Sequence, residues 1–156
     1  MSFQISPLPL ASFEPLFTLD DGALAAQGAK RVVVDTKPGY PCRVSLADAE
    51  PGEVAILVPY RHQPADSPYR ASGPVYVRQG VTEARVPAGA VPELLRSRLL
   101  SVRAYDAADL MTNADVVDGR ELEAAITRMF DDVSVSYLHV HFARPGCYAC
   151  RVDRAS

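Results

Sequence analysis

Between residues 137 and 152 the chain reads YLHVHFARPGCYACRV, which puts His139, His141, Cys147 and Cys150 within one short stretch. Imidazole and thiolate are donors to zinc-class metals, and a thiolate beside an imidazole is also an activated nucleophile. Side chains alternate along a strand, so His139 and His141 share one face with Tyr137 and Ala143, while Leu138, Val140 and Phe142 share the other. The apolar trio predicts a core-facing side. The two histidines then stand together on the opposite side, their Cα atoms about 6.5–7 Å apart, so both rings can reach one ion.

The connection that follows decides which cysteine joins them. A two-residue Pro145-Gly146 turn sets His141 opposite Cys150, whereas a three-residue loop moves Cys147 to the histidine face and Cys150 away from it. In either register the C-x-x-C cysteines point to opposite faces if both lie in the strand. A zinc knuckle or a redox dithiol needs them convergent, so neither reading fits. What remains is a mononuclear site for a divalent metal such as zinc, built from His139, His141 and a third ligand: Cys150, Cys42 or His62. A Cys-His nucleophile, Cys42 or Cys150 beside His139 or His141, is the second chemical reading. Plain packing of two histidines on a partly exposed or cross-strand-packed face is the third.

A second stretch, YRHQPADSPYRASGPVYVR at residues 60–78, joins two strand candidates through a proline-rich loop longer than most connections in a compact domain. It carries His62, Arg70 and Ser72. A guanidinium with the backbone amides at Ser72-Gly73 is suited to a carboxylate or phosphate, so these residues are candidate ligand contacts. The chain has no Walker glycine loop, no G-x-S-x-G and no H-E-x-x-H.

The rest of the chain must position these groups. With 156 residues, 48% hydrophobic and 22% charged, it has the composition of one globular domain spanning 1–156. A net charge of −3 offers no concentrated basic surface, which excludes nonspecific binding to nucleic acid or to anionic membranes. The longest aliphatic run, VAILV at 54–58, is far short of a membrane span. The opening MSFQISPLPLASF lacks the basic and apolar regions of a signal peptide, and three cysteines make an odd number for a disulfide framework. A cytoplasmic location is the expectation. The sequence carries no signal for an oligomeric state.

Strand candidates are FQISPL, KRVVVDT as a buried-type strand with PCRVSL as its returning partner, GEVAILVPYRH, PVYVRQ, LLSVRAYDA, NADVVD and the histidine segment itself. Short helices are expected at DDGALAAQGA, capped by Asp20 or Asp21 and stopped near Gly28, and after Pro92. The clearest element is a helix over 119–131. Asp118 and Glu121 resemble a capping box, and Leu122, Ala125, Ile126, Met129 and Phe130 form one apolar stripe. The expected fold is α+β: a mostly antiparallel, twisted sheet with that main helix and one or two short ones.

KPGYPCRVS from residue 37 aligns with RPGCYACRVD from residue 144 once a residue is inserted, which reads as two similar Pro-Gly turns. Together with RVVVDTKPGYPCRVSLADAEPGE and the 60–78 loop, this second segment resembles a family of short bacterial proteins classed only as a domain of unknown function, number twelve-oh-three. The resemblance implies a one-domain bacterial protein and brings no activity, cofactor or site residue with it. The leading functional expectation is a small ligand-binding domain, its pocket near His139, His141 and the 60–78 loop. The alternatives are a metal-assisted or Cys-His enzyme and a protein-interaction module.

Overall fold

The apolar alternation of the sequence becomes strand after strand along residues 2–155, which a computed structural model describes. The order is β1 (Ser2–Ser6), α1 (Asp21–Ala26), β2 (Lys30–Val33), β3 (Pro41–Cys42), β4 (Ala47–Asp48), β5 (Val54–Gln63), β6 (Ala71–Arg78), α2 (Glu93–Arg96), β7 (Leu99–Asp106), β8 (Met111–Asp118), α3 (Leu122–Phe130), β9 (Val135–Phe142) and β10 (Tyr148–Ala155). The class is α+β, as expected, but the strands divide between two five-stranded sheets, β1-β10-β9-β7-β8 and β2-β5-β6-β3-β4. Among the described residues no helix is long and apolar enough to cross a membrane.

Contacts sort the chain into two compact units. The first contains the described residues of Met1–Ser6, Arg61–Ser72 and Arg85–Ser156; the second contains Pro7–Tyr60 and Gly73–Ala84. In the second unit, Val34, Ala49 and Ala55 form a core cluster with Val32, Tyr40 and Tyr76 packed on it. Asp20 caps α1 by accepting the Ala23 N–H at 2.8 Å, and Gly28 takes a φ of 73° just beyond it, so the expected start and stop both hold. Two expectations need correction. KRVVVDT is not a buried strand throughout: β2 is an edge strand, with Val33 66% exposed, and only Val34 just beyond it is buried in the core. Its partner is β5 rather than PCRVSL, of which only Pro41 and Cys42 are extended, between β4 and β6.

The first unit is built on an all-antiparallel sheet whose central strands are β9 and β7. Register makes one face wholly apolar. Ile5, Val152, Leu138 and Ala104 lie side by side across four strands, and Cys150, Val140 and Val102 form the next row. All seven are 0% exposed. α3 contacts β7, β8 and β9, and its stripe of Leu122, Ala125, Ile126, Met129 and Phe130 is buried as the periodicity requires. Each large apolar side chain covered this way contributes about 1.5–3 kcal/mol.

The entry to α3 is a 3₁₀ turn, Gly119–Glu121, capped by Asp118. The Arg120 side chain and its backbone N–H both donate to the Asp118 carboxylate and hold its pKa down to about 2. The folded value lies below the ordinary 3.8, so the stability this cap contributes is present above about pH 4 and is lost as pH falls toward 2. Carboxyl-detected NMR should find Asp118 titrating near 2 in the native chain and higher in R120Q. A native midpoint near 3.8 would contradict the capping geometry.

Candidate metal centre

The face of the same sheet turned away from α3 carries the chemistry. Alternation along β9 brings out Tyr137, His139 and His141, and antiparallel register supplies their neighbours from both sides. His139 lies between Arg103 of β7 and Arg151 of β10. His141 lies between Ser101 and Tyr148, and Tyr137 between Tyr105 and Asp153. The third histidine arrives from far away in sequence. The end of β5, Arg61–Gln63, belongs to this unit, and Gln63 anchors it by donating to the Tyr137 hydroxyl at 3.1 Å. Tyr137 in turn donates to Asp109 at 2.6 Å.

All three histidines of the chain therefore meet. One ring nitrogen from each of His62, His139 and His141 lies within 4.8 Å of the others. His62 stacks flat on Tyr148 at 5.3 Å and meets His141 edge-on at 5.2 Å; His139 meets Tyr148 edge-on at 5.2 Å. His139 and His141 are only 3% and 2% exposed, and His62 is half-buried.

The nitrogens are unevenly satisfied. His141 Nδ1 is 3.0 Å from the carbonyl oxygen of Gly146. A carbonyl can only accept, so Nδ1 carries the proton and Nε2 presents its lone pair, the second-shell arrangement that orients metal-ligating imidazoles. Nδ1 of His62 and Nδ1 of His139 are buried without any hydrogen-bond partner among the described residues. Most buried polar atoms are paired, so two orphans in one cluster require an explanation. Burial, reinforced by His141, Arg151, His62 and Arg103, lowers His139 to about 3; burial and then Arg103 lower His62. Both rings stay neutral near pH 7, the form that ligates metal.

The cysteines fall elsewhere. The connection after β9 is neither of the two tight turns weighed from sequence. Across it the Phe142 N–H donates to Cys147 O and the Gly146 N–H donates to Phe142 O, and Gly146 takes a φ of 83°. Tyr148, not Cys150, is thus opposite His141. A bulge at Ala149 then shifts the register, setting Cys150 opposite Val140 on the apolar face and Arg151 opposite His139. The geometric case for Cys150 as a metal ligand or as a nucleophile beside these histidines fails with that register, and of the three candidates for a third donor it is His62 whose ring nitrogen lies with those of His139 and His141. Cys42 is fully buried in the other unit, where its sulfur accepts the N–H groups of Ser45 and Arg78. The three cysteines form no disulfide. The two Pro-Gly segments take unlike structures, a two-residue strand at Cys42 and an eight-residue strand at Cys150.

Of the remaining candidates, Arg70 and Ser72 are exposed at the end of the loop and the start of β6, and none of the described contacts brings their side chains to the histidines. Residues not anticipated as part of the site are Arg103, Tyr148 and the Gly146 carbonyl. Arg103 was visible as the polar alternate of Leu100, Val102 and Ala104, but only the pairing of β7 with β9 puts it beside His139.

A family model described as a protein of unknown function, DUF1203, matches residues 39–154, and the chain belongs to that family. All three histidines lie within the matched span. No curated protein and no solved structure matches the chain.

Proposed function

We propose that this member of the DUF1203 family is a metal-binding protein that holds one divalent ion of the zinc class through His62, His139 and His141. The observation that carries the reading is the convergence of every histidine in the chain on one point, two of them with an orphaned buried nitrogen. Zinc–nitrogen bonds of about 2.0–2.1 Å at a tetrahedral angle ask for nitrogens about 3.3 Å apart, which rotations of the order of 1 Å would reach from the present spacing. Three neutral imidazoles leave a fourth position open, the donor set of catalytic rather than structural zinc; an ion there lowers the pKa of bound water and polarises carbonyl or phosphoryl oxygens.

A single ion suits this cluster better than an organic ligand shared with the 60–78 loop. His139 and His141 are almost wholly covered, and Arg70 and Ser72 make no described contact with them. A cytoplasmic, reducing compartment fits three cysteines without a disulfide, and the net charge of −3 favours no nucleic-acid or membrane partner.

Elemental analysis of protein purified without chelator should give about one equivalent of a transition metal per chain, and none for a His139→Phe/His141→Phe double variant. Equal metal in both proteins, or none in the native chain even after zinc is added, refutes the reading.

A further inference from the structure

We propose that the three-histidine centre binds its metal together with a small oxyanion of the carboxylate or bicarbonate kind, held by Arg103. The inference rests on the metal reading above but on a separate observation, the charge beside the histidines. Arg103 is half-buried on β7, directly opposite His139, and its Nη1 is 3.5 Å from His141 Nε2. Its Nε donates to Ser101 Oγ at 3.2 Å. No carboxylate pairs with it among the described residues. Arg151, on the other flank of His139, is by contrast paired with Asp153 at 2.9 Å and stacked over Tyr137.

Charge balance then sets what the centre must take up. Three neutral imidazoles bring no negative charge, and the nearby Asp109 carboxylate is already occupied by the Tyr137 hydroxyl. A dication beside a guanidinium in a largely covered site is repelled by it, and the guanidinium hydrogen on His141 Nε2 competes for the same lone pair. An oxyanion with one oxygen on the open metal position and another on the Arg103 fork removes both problems at once, because guanidinium matches carboxylate geometry. Metal and anion must therefore strengthen each other's binding by the same factor. The near-complete cover of His139 and His141 restricts the anion to a few heavy atoms.

The test is a cobalt(II) titration of the metal-free full chain, followed by visible absorption, in a non-coordinating buffer with and without acetate. Acetate should tighten cobalt binding by about tenfold or more and alter the cobalt spectrum. R103M should still bind cobalt, at least as tightly as the native chain when acetate is absent, and its acetate effect should fall below about twofold. Native protein that binds cobalt with no acetate dependence, or R103M that keeps the full effect, overturns the anion proposal and leaves the metal reading standing. Native protein that binds no cobalt under either condition overturns both.

Discussion

Exchanging His139 for phenylalanine is expected to weaken metal binding by about 100-fold or more while leaving the metal-free protein at least as stable as the native chain. The two halves of that result come from one geometry. His139 is 3% exposed and packs its ring against Tyr105, Tyr137 and Tyr148, with centroids 5.2, 5.3 and 5.2 Å away. Phenylalanine keeps a flat ring in that lattice. What it removes is a buried Nδ1 that no described residue satisfies. An unsatisfied buried polar atom costs about 1–3 kcal/mol, so its deletion without loss of shape is neutral or stabilising. A histidine kept only for packing gives the opposite pattern. Chemical denaturation of both metal-free proteins, beside a zinc titration of each, separates the cases: H139F that loses several kcal/mol of stability and binds zinc as the native chain does would make His139 structural.

G119A is expected to destabilise the protein by about 3 kcal/mol and to lower its Tm by about 10 °C. A Cβ on Gly119 would meet the Leu95 carbonyl oxygen at 1.8 Å, the Arg98 carbonyl oxygen at 2.7 Å and the Arg96 carbonyl carbon at 2.8 Å. All three are backbone atoms in α2 or just beyond its end, so no side chain can turn away. The Gly119 N–H is tied to Arg98 O at 2.8 Å, which prevents the turn from backing off. Relief therefore has to come from a shift of α2 or of α3, and α3 covers the sheet opposite the histidine rows. G22A is the matched control. Its new Cβ meets only Asp20 Oδ1 at 3.5 Å, an ordinary contact, and it lies inside α1, where alanine is preferred over glycine. Thermal unfolding of G119A within about 1 °C of the native chain would contradict the packing described for this junction.

Much of this arrangement was legible from local patterns. Alternation in YLHVHF correctly grouped His139 with His141 and set Leu138, Val140 and Phe142 on the other face, because successive side chains of a strand point to opposite sides, although here both faces are covered. The stripe of the main helix and its Asp118 cap were equally readable, since both depend on residues within a turn or two of each other. What local pattern could not supply was parity across the hairpin. Pro145-Gly146 looked like the centre of a two-residue turn, yet Gly146 closes a longer connection and the bulge at Ala149 slips the register once more. Those shifts decide that Tyr148 and Arg151, and not Cys150, face the histidines.

Long-range pairing was the other missing step. His62 is separated from His139 by most of the first unit's chain and stood in the sequence as one of three possible third ligands. Only the docking of Arg61–Gln63, through the Gln63–Tyr137 hydrogen bond, brings it to the other two histidines. The same step was needed for Arg103. Conversely, the Pro-Gly-Tyr-x-Cys-Arg-Val echo was a similarity of letters. Cys42 stands in a two-residue strand whose parallel partner is Tyr76, a context with no counterpart at Cys150.

X-ray absorption spectroscopy of the zinc-loaded protein tests the donor set most directly, because sulfur scatters more strongly and from a longer distance than nitrogen or oxygen, and imidazole rings add multiple scattering that oxygen ligands lack. The expected result is three imidazole nitrogens at about 2.0–2.1 Å with one further light atom and no sulfur. A sulfur at about 2.3 Å, or a shell of oxygen ligands without imidazole scattering, would contradict a centre built from His62, His139 and His141.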